Sequence, residues 1–327
     1  MALDITYTNG VIAAKEKNLL GDFLLRLCET DAADAFRALC ERGYGGGAET
    51  TADVYEYEKL IEKEESRIDA FVCEYAPSDA EKIFFLSRKD FHNAKALLKA
   101  AYLKTDVEKM LAGEGLVSLS LLKTCVESGD FSALERENPR LKLACEAGRE
   151  SLQKERVSGA EIGEIFEKAH AEYLWEKCRK NKTLKKLLKE KADMTNLLTA
   201  FRCQDKEDAE NKYLPMGNLS EQTLGQVFST DTEQVRRTFS DTAMAEFVGL
   251  CLDDREKGLP PVQAEKMRDG YETDYFHARR YELQKNQPFL YYVSRCKTEN
   301  ANVRIVFACK LAGFGETQIK ARLRGMK

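Results

Sequence analysis

Apolar residues recur every three or four positions along most of this chain, which is the spacing of one face of an α-helix. No segment alternates apolar or β-branched residues with polar ones in the way that a half-buried strand would. The pattern therefore predicts an all-α protein. Long helices are predicted over residues 7–28, 50–75, 83–104, 157–180, 183–202, 262–283 and 288–311, and shorter ones over 31–39, 118–127, 131–134 and in pieces between 220 and 254.

Glycine and proline mark the breaks between these segments, at residues 43–47, 76–78, 113–115, 213–217 and 258–261. Pro139 is expected in the first turn of a helix, where an N–H would have no partner within the helix. The Gly-rich segment 43–47 lacks the Lys-Ser/Thr ending of a phosphate-binding loop and follows no predicted strand. It is interpreted as a hinge or a helix end.

An asparagine recurs at related places in the apolar pattern. Neighbouring copies are 84, 103 and 106 residues apart, and in three of the four an acidic residue stands three positions earlier. Self-similarity of this kind indicates a modular architecture, here three pseudo-repeated helix bundles with rough boundaries of 1–112, 113–217 and 218–327. The copies are Asn9, with Thr6 in the place of the acid, and the pairs Asp90 and Asn93, Asp193 and Asn196, and Glu299 and Asn302.

Each acid is expected on the same helix face as its asparagine, because residues three apart are neighbours on a helix. Asp and Asn are weak helix formers, since their side chains compete for backbone hydrogen bonds. We therefore interpret the pairs as structural, each bonding across to a neighbouring helix or loop end. Helix capping is the alternative, because Ser87 precedes Asp90 by three positions as in a capping box. Catalysis by these carboxylates is not expected.

Composition narrows the class of function. The 327 residues are 43% hydrophobic, enough to bury a core, and a net charge of −4 gives no overall attraction to nucleic acid or to an anionic membrane. The 10 Cys form no Cys-x-x-Cys pair and the 3 His are isolated, so free thiols are expected, with no metal site and no cofactor. There is no signal-peptide pattern and no apolar run near the ~20 residues that span a bilayer. A cytoplasmic protein is expected, soluble or resting against a membrane complex.

Charge is unevenly distributed along the chain. Seven Lys or Arg lie between residues 179 and 191 with Glu190 as the one acid, and six lie from 304 onward with Glu316 as the one acid. A solvated helix face is the usual meaning of such runs, and a docking surface is the alternative. The candidate docking residues are Lys185, Lys186 and Lys189 in the first run and Lys320, Arg322 and Arg324 in the second.

The C-terminal segment carries the most specific motifs. Residues 288–293 read Pro-Phe-Leu-Tyr-Tyr-Val, 299–306 contain the last acid and asparagine followed by Arg304, and 316–323 read Glu-x-x-Ile-x-x-Arg-Leu. With the segments around Asp90 and Asp193 and the Tyr-Thr-Asn motif at 7–9, they resemble the C subunits of V-type ATPases, the prokaryotic counterparts of the eukaryotic d subunits, over the full chain. Thr6 departs from this pattern, because the other copies carry an acid there.

This resemblance implies a funnel-like array of three related helix bundles in the central rotor of a rotary ATPase. Members of the family are not catalytic; they join the central stalk to the membrane proteolipid ring, so that ATP hydrolysis or synthesis is linked to proton or sodium transport. The implied partners are therefore the stalk subunits and the ring, and the implied location is cytoplasmic and peripheral to a membrane. The alternative is a freestanding helical-repeat scaffold that binds a protein partner. An enzyme is disfavoured, because no nucleophile, base and orienting group can be assembled from recognised spacings.

Overall fold

The computed structural model describes residues 5–46, 53–154, 158–283 and 285–325. In these ranges the chain forms α-helices and short 3-10 turns and no strand, which confirms the predicted all-α class. In chain order the α-helices are α1 (Ile5–Lys15), α2 (Phe23–Glu29), α3 (Ala32–Glu41), α4 (Tyr57–Tyr75), α5 (Asp79–Leu103), α6 (Leu119–Ser128), α7 (Leu134–Glu137), α8 (Pro139–Leu152), α9 (Gly159–Cys178), α10 (Lys182–Arg202), α11 (Lys206–Lys212), α12 (Glu221–Gly225), α13 (Thr232–Phe239), α14 (Ala245–Glu256), α15 (Val262–His277), α16 (Gln287–Leu311) and α17 (Glu316–Arg322).

The chain divides into two compact units. The first unit combines the two ends of the chain, residues 1–78 and 262–327, and holds α1 to α4 and α15 to α17. The second unit is continuous, from 79 to 261, and holds α5 to α14. The three repeat boundaries drawn from the sequence stay a prediction.

The core of the first unit is built around α16, which contacts α1, α4 and α15. Phe307 on this helix is fully buried. Its ring meets Phe36 of α3 edge-on at 5.9 Å between centroids and stacks on Tyr57 of α4 at 5.5 Å. Burying an aromatic side chain contributes roughly 1.5–3 kcal/mol to stability, so this three-way contact ties α3 and α4 to the C-terminal half of the unit.

The second unit has its own core, in which α5 packs against α6, α8 and α9. Gly148 of α8 explains how closely α8 and α9 approach each other. A Cβ at this position would lie 3.0 Å from the ring of Phe166, a fully buried side chain of α9. The absence of a side chain therefore makes room for a large apolar one across the interface.

The predicted single helix over residues 7–28 is wrong. α1 ends at Lys15, a 3-10 turn follows, and α2 begins only at Phe23. The apolar spacing continues through the break and hides it, because Leu20 is buried although it is not helical. Gly21 has a φ of +51°, a left-handed conformation in which an α-helix cannot continue.

Other elements also differ from the prediction: α5 begins at Asp79 rather than at residue 83, and α7 covers Leu134–Glu137 rather than residues 131–134. α4 begins at Tyr57 rather than at residue 50, after a 3-10 turn that the side chain of Asp53 caps; positions 50–52 of that prediction lie outside the described residues. α15 ends at His277 rather than at 283. The helix α11 was not predicted, because its sequence is almost entirely polar. Pro139 does open α8, as expected.

The Gly-rich segment begins just after α3 ends, which agrees with its interpretation as a helix end. Its last residue, Gly47, lies outside the described residues. Gly45 has a φ of +64°, and a Cβ there would lie 2.8 Å from the carbonyl oxygen of Leu60 on α4. The segment therefore serves a close approach of two backbones.

Candidate functional site: acid–asparagine pairs and basic segments

The three acid–asparagine pairs lie inside the long helices α5, α10 and α16, and all six side chains are buried. The capping alternative is wrong for the first pair, because α5 begins at Asp79 and Ser87 is already in its third turn. Polar groups inside a protein need hydrogen-bond partners. The contacts of each pair therefore reveal its role.

The side chain of each of the three asparagines binds one backbone N–H group and one backbone C=O group of a non-helical segment. The side-chain oxygen accepts from an N–H and the side-chain nitrogen donates to a C=O, much as two strands pair. Asn93 binds Ala112 N (2.8 Å) and Gly113 O (2.8 Å), Asn196 binds Leu214 N (2.7 Å) and Leu214 O (2.9 Å), and Asn302 binds Arg324 N (2.9 Å) and Arg324 O (2.8 Å).

The three acids bind backbone N–H groups that lie just before the N-cap of a short helix. In each case the carboxylate fixes where that helix starts, because the amides it binds have no helical partner. Asp90 accepts from Val117 before α6 (3.0 Å), Asp193 from Asn218 and Leu219 before α12 (2.7 and 2.9 Å), and Glu299 from Leu20 and Gly21 before α2 (2.8 and 3.0 Å).

Two glycines, each of which lies just before the amides that an acid binds, are explained by these carboxylates. A Cβ on Gly115 would lie 2.1 Å from Oδ1 of Asp90, and a Cβ on Gly217 would lie 2.5 Å from Oδ1 of Asp193. Both distances are far below van der Waals contact. Only glycine lets the backbone come close enough to bond the acid.

The third pair differs from the other two in the order of its chain segments. For the pairs of α5 and α10, both bound segments come after the helix in sequence, at residues 112–117 and 214–219. Glu299 instead binds residues 20–21 near the start of the chain, and Asn302 binds Arg324 near its end. The same set of contacts is therefore completed by the two ends of the chain, within the first unit.

Asn9, the first asparagine of the sequence pattern, makes a different contact. Its Nδ2 donates to the carbonyl oxygen of Leu283 at 2.9 Å, in a more exposed setting than the other three. Asn9 therefore does not take the place of a pair member. The acid and asparagine that complete the first unit are Glu299 and Asn302.

The three acids differ in the side-chain hydrogen bonds that their carboxylates accept. Oδ2 of Asp193 accepts from Nδ2 of Asn218 at 2.8 Å, and Oε1 of Glu299 accepts from Nε of Arg295 at 3.0 Å. Oδ2 of Asp90 is buried with no hydrogen-bond partner among the described residues. Burial raises the pKa of Asp90 from 3.8 to about 7, although the amides of the following loop and Lys89 act in the opposite direction.

Asn218 and Arg295 were not predicted from the sequence. Arg295 precedes Glu299 by four positions, and this helical ion-pair spacing is a signal that could have identified it. Asn218 follows Gly217 in the loop before α12, but no local pattern indicates a contact with Asp193.

Arg304, the remaining residue of the family motif, makes ion pairs within the first unit. Its Nε lies 3.0 Å from the carboxylate of Glu58, and a terminal nitrogen lies 3.7 Å from Glu65, both on α4. The side chain is 42% exposed, so the pair contributes little to stability by itself. Its position joins α16 to the acidic face of α4.

The candidate docking residues of the C-terminal run have partners inside the chain. Lys320 lies 2.9 Å from Glu29 and 2.7 Å from Glu316. Arg324 lies 2.7 Å from Asp269, and Arg322 stacks on the ring of Phe314 at 4.6 Å. The charge of this segment is therefore largely balanced by the protein itself.

The candidate docking residues of the first run lie on α10 and are less engaged. Lys185 and Lys186 are exposed and Lys189 is half-buried. Lys189 donates to the side chain of Asn218 at 3.2 Å, and Lys186 is 3.8 Å from Glu190. No ion pair of Lys185 with any described residue is present.

His92 and His170 make contacts within the fold. His170 is partly buried with its Nε2 3.1 Å from Oγ of Ser87, and desolvation lowers its pKa from 6.5 to about 3, so it stays neutral. His92 contacts the carbonyl oxygen of Met110 at 2.8 Å. Among the described residues, no group of three or more His, Cys, Asp or Glu side chains is placed to hold a metal ion.

The ten cysteines are thiols, and Cys73 alone is exposed. In the part of the chain that the structure describes, no helix combines the length and the apolar character needed to cross a membrane.

Comparison with known proteins gives two matches. The family described as "ATP synthase (C/AC39) subunit" matches residues 8–322. The C subunit of the V-type sodium ATPase of Enterococcus hirae is 20% identical over 326 residues, a match that covers 97% of both chains. Both matches span the two acid–asparagine pairs of the second unit and the pair that the chain ends complete.

Proposed function

Since the chain belongs to the family of ATP synthase (C/AC39) subunits, as its C-terminal motifs predicted, we propose that it is a non-catalytic rotor subunit of a V/A-type ATPase. In this role it joins the central stalk of the catalytic head to the proteolipid ring. ATP hydrolysis or synthesis would then be linked to proton or sodium transport through its rotation. The chain itself hydrolyses no nucleotide.

The observation that best supports a mechanical role is the internal pinning of each unit. A protein that transmits torque must keep its loops and helix starts in place under load. Each long helix with a pair holds one loop by an asparagine and one helix start by an acid, through hydrogen bonds that are buried or partly buried. Hydrogen bonds to a carboxylate are stronger than neutral ones, and more so away from water.

The basic residues are the proposed contacts to other subunits. Lys185, Lys186 and Lys189 present their charges from α10. At the C-terminal segment, acidic groups of a partner would compete with Glu29 for Lys320 and with Asp269 for Arg324. Electrostatic contacts of this kind guide assembly and weaken as salt rises. The proposed location is the cytoplasmic side, at the membrane through these partners.

The test is whether the purified protein bridges two parts of the complex. Detergent-solubilised proteolipid ring and purified central stalk are mixed with and without the chain, and the ring is sedimented. Stalk subunits should accompany the ring only when the chain is present, and the purified chain should show no ATPase activity.

Binding to neither part would overturn the proposal. It would favour instead a freestanding helical scaffold with another protein partner. ATP hydrolysis by the chain alone would overturn the non-catalytic assignment.

A further inference from the structure

Five cationic side chains are exposed together at the turn that joins α9 to α10. Arg179 and Lys180 follow the end of α9, and Lys182, Lys185 and Lys186 occupy the first turns of α10. We call these five residues the basic corner. Within the described residues no ion pair is formed by the first four, and Lys186 has only a contact of 3.8 Å with Glu190.

The acids nearest to the basic corner in sequence are engaged elsewhere or buried. Glu172 and Glu176 on α9 both accept from Arg140, which lies on α8. Glu190 is buried. The positive charge of the corner is therefore not neutralised by its own helices, in contrast to the C-terminal basic segment.

The backbone of the corner is fixed rather than adaptable. Asn181 caps α10, and its Oδ1 accepts from the N–H groups of Thr183 and Leu184 at 3.0 and 3.2 Å. Its Nδ2 donates to the buried carboxylate of Glu81 on α5 at 2.7 Å. The cationic side chains therefore project from a turn that Asn181 fixes by hydrogen bonds to α10 and to α5.

We propose that the basic corner docks an acidic protein surface, which names the chemistry of one partner contact and rests on the proposed function. A single bound anion such as phosphate is less suited to this place, because the capping side chain already uses the first helix amides. A lipid bilayer is less suited as well. No large apolar side chain is exposed between residues 158 and 202, so the corner offers nothing to insert beside the headgroups.

The experiment compares two variants with equal changes of charge. The corner variant carries Lys182→Glu, Lys185→Glu and Lys186→Glu. The control variant carries Lys109→Glu, Lys168→Glu and Lys257→Glu, three exposed lysines of the same unit outside the corner. Acidic residues are favourable in the first turn of a helix, where Lys182 and Lys185 lie, and circular dichroism and thermal unfolding check that the corner variant folds.

The probes are poly-L-glutamate, phosphatidylcholine vesicles containing phosphatidylglycerol, and inorganic phosphate, each at low and at high salt. The corner variant should bind poly-L-glutamate at least about tenfold more weakly than the parent at low salt, and the control variant should bind like the parent. The difference should shrink at high salt. The central stalk or the proteolipid ring, whichever of the two the parent binds, should likewise bind the corner variant more weakly than the control variant.

Equal losses in both variants would mean that net charge alone matters, and they would overturn the proposal. Unchanged binding by the corner variant would do the same. If the corner variant lost only vesicle binding or only phosphate binding, the corner would be a lipid or anion site instead. If the parent bound poly-L-glutamate through the corner but did not bridge ring and stalk, the proposed function would be wrong. The preference of the corner for an acidic surface would still be supported.

Discussion

Glu299 and Leu20 are hydrogen bonded at 2.8 Å, although 279 positions separate them in the sequence. The bond joins the central helix of the first unit to the start of α2, and the neighbouring Gly21 N–H strengthens it. Arg295, one turn earlier on α16, binds the same carboxylate and also donates to the carbonyl oxygen of Gly325. One buried ion pair thus holds both ends of the chain on one helix.

Replacing Glu299 by Ala should lower the free energy of unfolding by ~3 to 5 kcal/mol, because Arg295 and the N–H of Leu20 would be left buried without this acceptor. Denaturant titration followed by circular dichroism measures the change. Glu316→Ala is the control, since Glu316 is half exposed and its pair with Lys320 is worth at most ~1 kcal/mol. Equal stability of the two variants would contradict the structural role of Glu299.

Replacing Asn93, Asn196 or Asn302 by Ala should each destabilise the protein by ~1 to 3 kcal/mol, because an N–H and a C=O of a loop lose their partners. Asn9→Ala is a natural control. Asn9 makes one hydrogen bond in an exposed setting, so its loss should cost less than ~1 kcal/mol. Thermal unfolding of the four variants gives the comparison, and a similar small effect at all four positions would remove the distinction drawn between Asn9 and the pairs.

The helices could be predicted from the sequence because the apolar pattern that defines them is local. The break near Leu20 could not, since its apolar neighbours keep helical spacing while the cause, Glu299, is supplied from the other end of the chain. The same limit applies to charge. The two basic runs look alike in sequence, but distant acids such as Glu29 and Asp269 balance the C-terminal run and none balances the basic corner within the described residues.

Gly217→Ala should destabilise the protein by ~1 to 3 kcal/mol, because the new Cβ would lie 2.5 Å from Oδ1 of Asp193 and push the carboxylate away from two amides. Gly163→Ala is a matched control inside α9, where a Cβ would meet nothing within 4 Å. That substitution should stabilise the protein by about 0.5 kcal/mol through helix propensity. Effects of the same sign at both positions would contradict the close-approach explanation.

Asp90 should make stability fall as pH rises. The carboxyl group ionises near 3.8 in the unfolded chain and near 7 in the folded one, so between these values the folded state holds a proton that the unfolded state has lost. Stability should decline from about pH 4 to about pH 7 and then level off, by a few kcal/mol at most since one unit is worth ~1.4 kcal/mol. Lys89 on α5 is the charged group that lowers the pKa of Asp90, and Asp90 in turn raises the pKa of Tyr173 on α9.

Asp90→Asn should remove this decline, because an amide keeps the acceptor for Val117 without a charge. The measurement is the difference in unfolding free energy between parent and variant across that pH range. A difference that does not vary with pH would show that Asp90 is already ionised in the folded protein at pH 4 to 7.

Leu116→Asn should supply the partner that Asp90 lacks. Leu116 stands before Val117 as Asn218 stands before Leu219, and Nδ2 of Asn218 reaches the second oxygen of Asp193 at 2.8 Å. A hydrogen bond to the charged carboxylate should lower the pKa of Asp90 and add ~1 kcal/mol of stability above its present pKa. Below that pKa the bond is of little use, while the apolar contacts of the half-buried leucine are still lost. The variant should therefore be more stable than the parent at pH 8 and less stable at pH 5.

Leu116→Ala separates the two effects, since it loses the apolar contacts without gaining an amide and should be destabilised at both pH values. If the Asn and Ala variants followed the same pH dependence, the added amide would not reach Asp90, and the two loops would not be equivalent in structure.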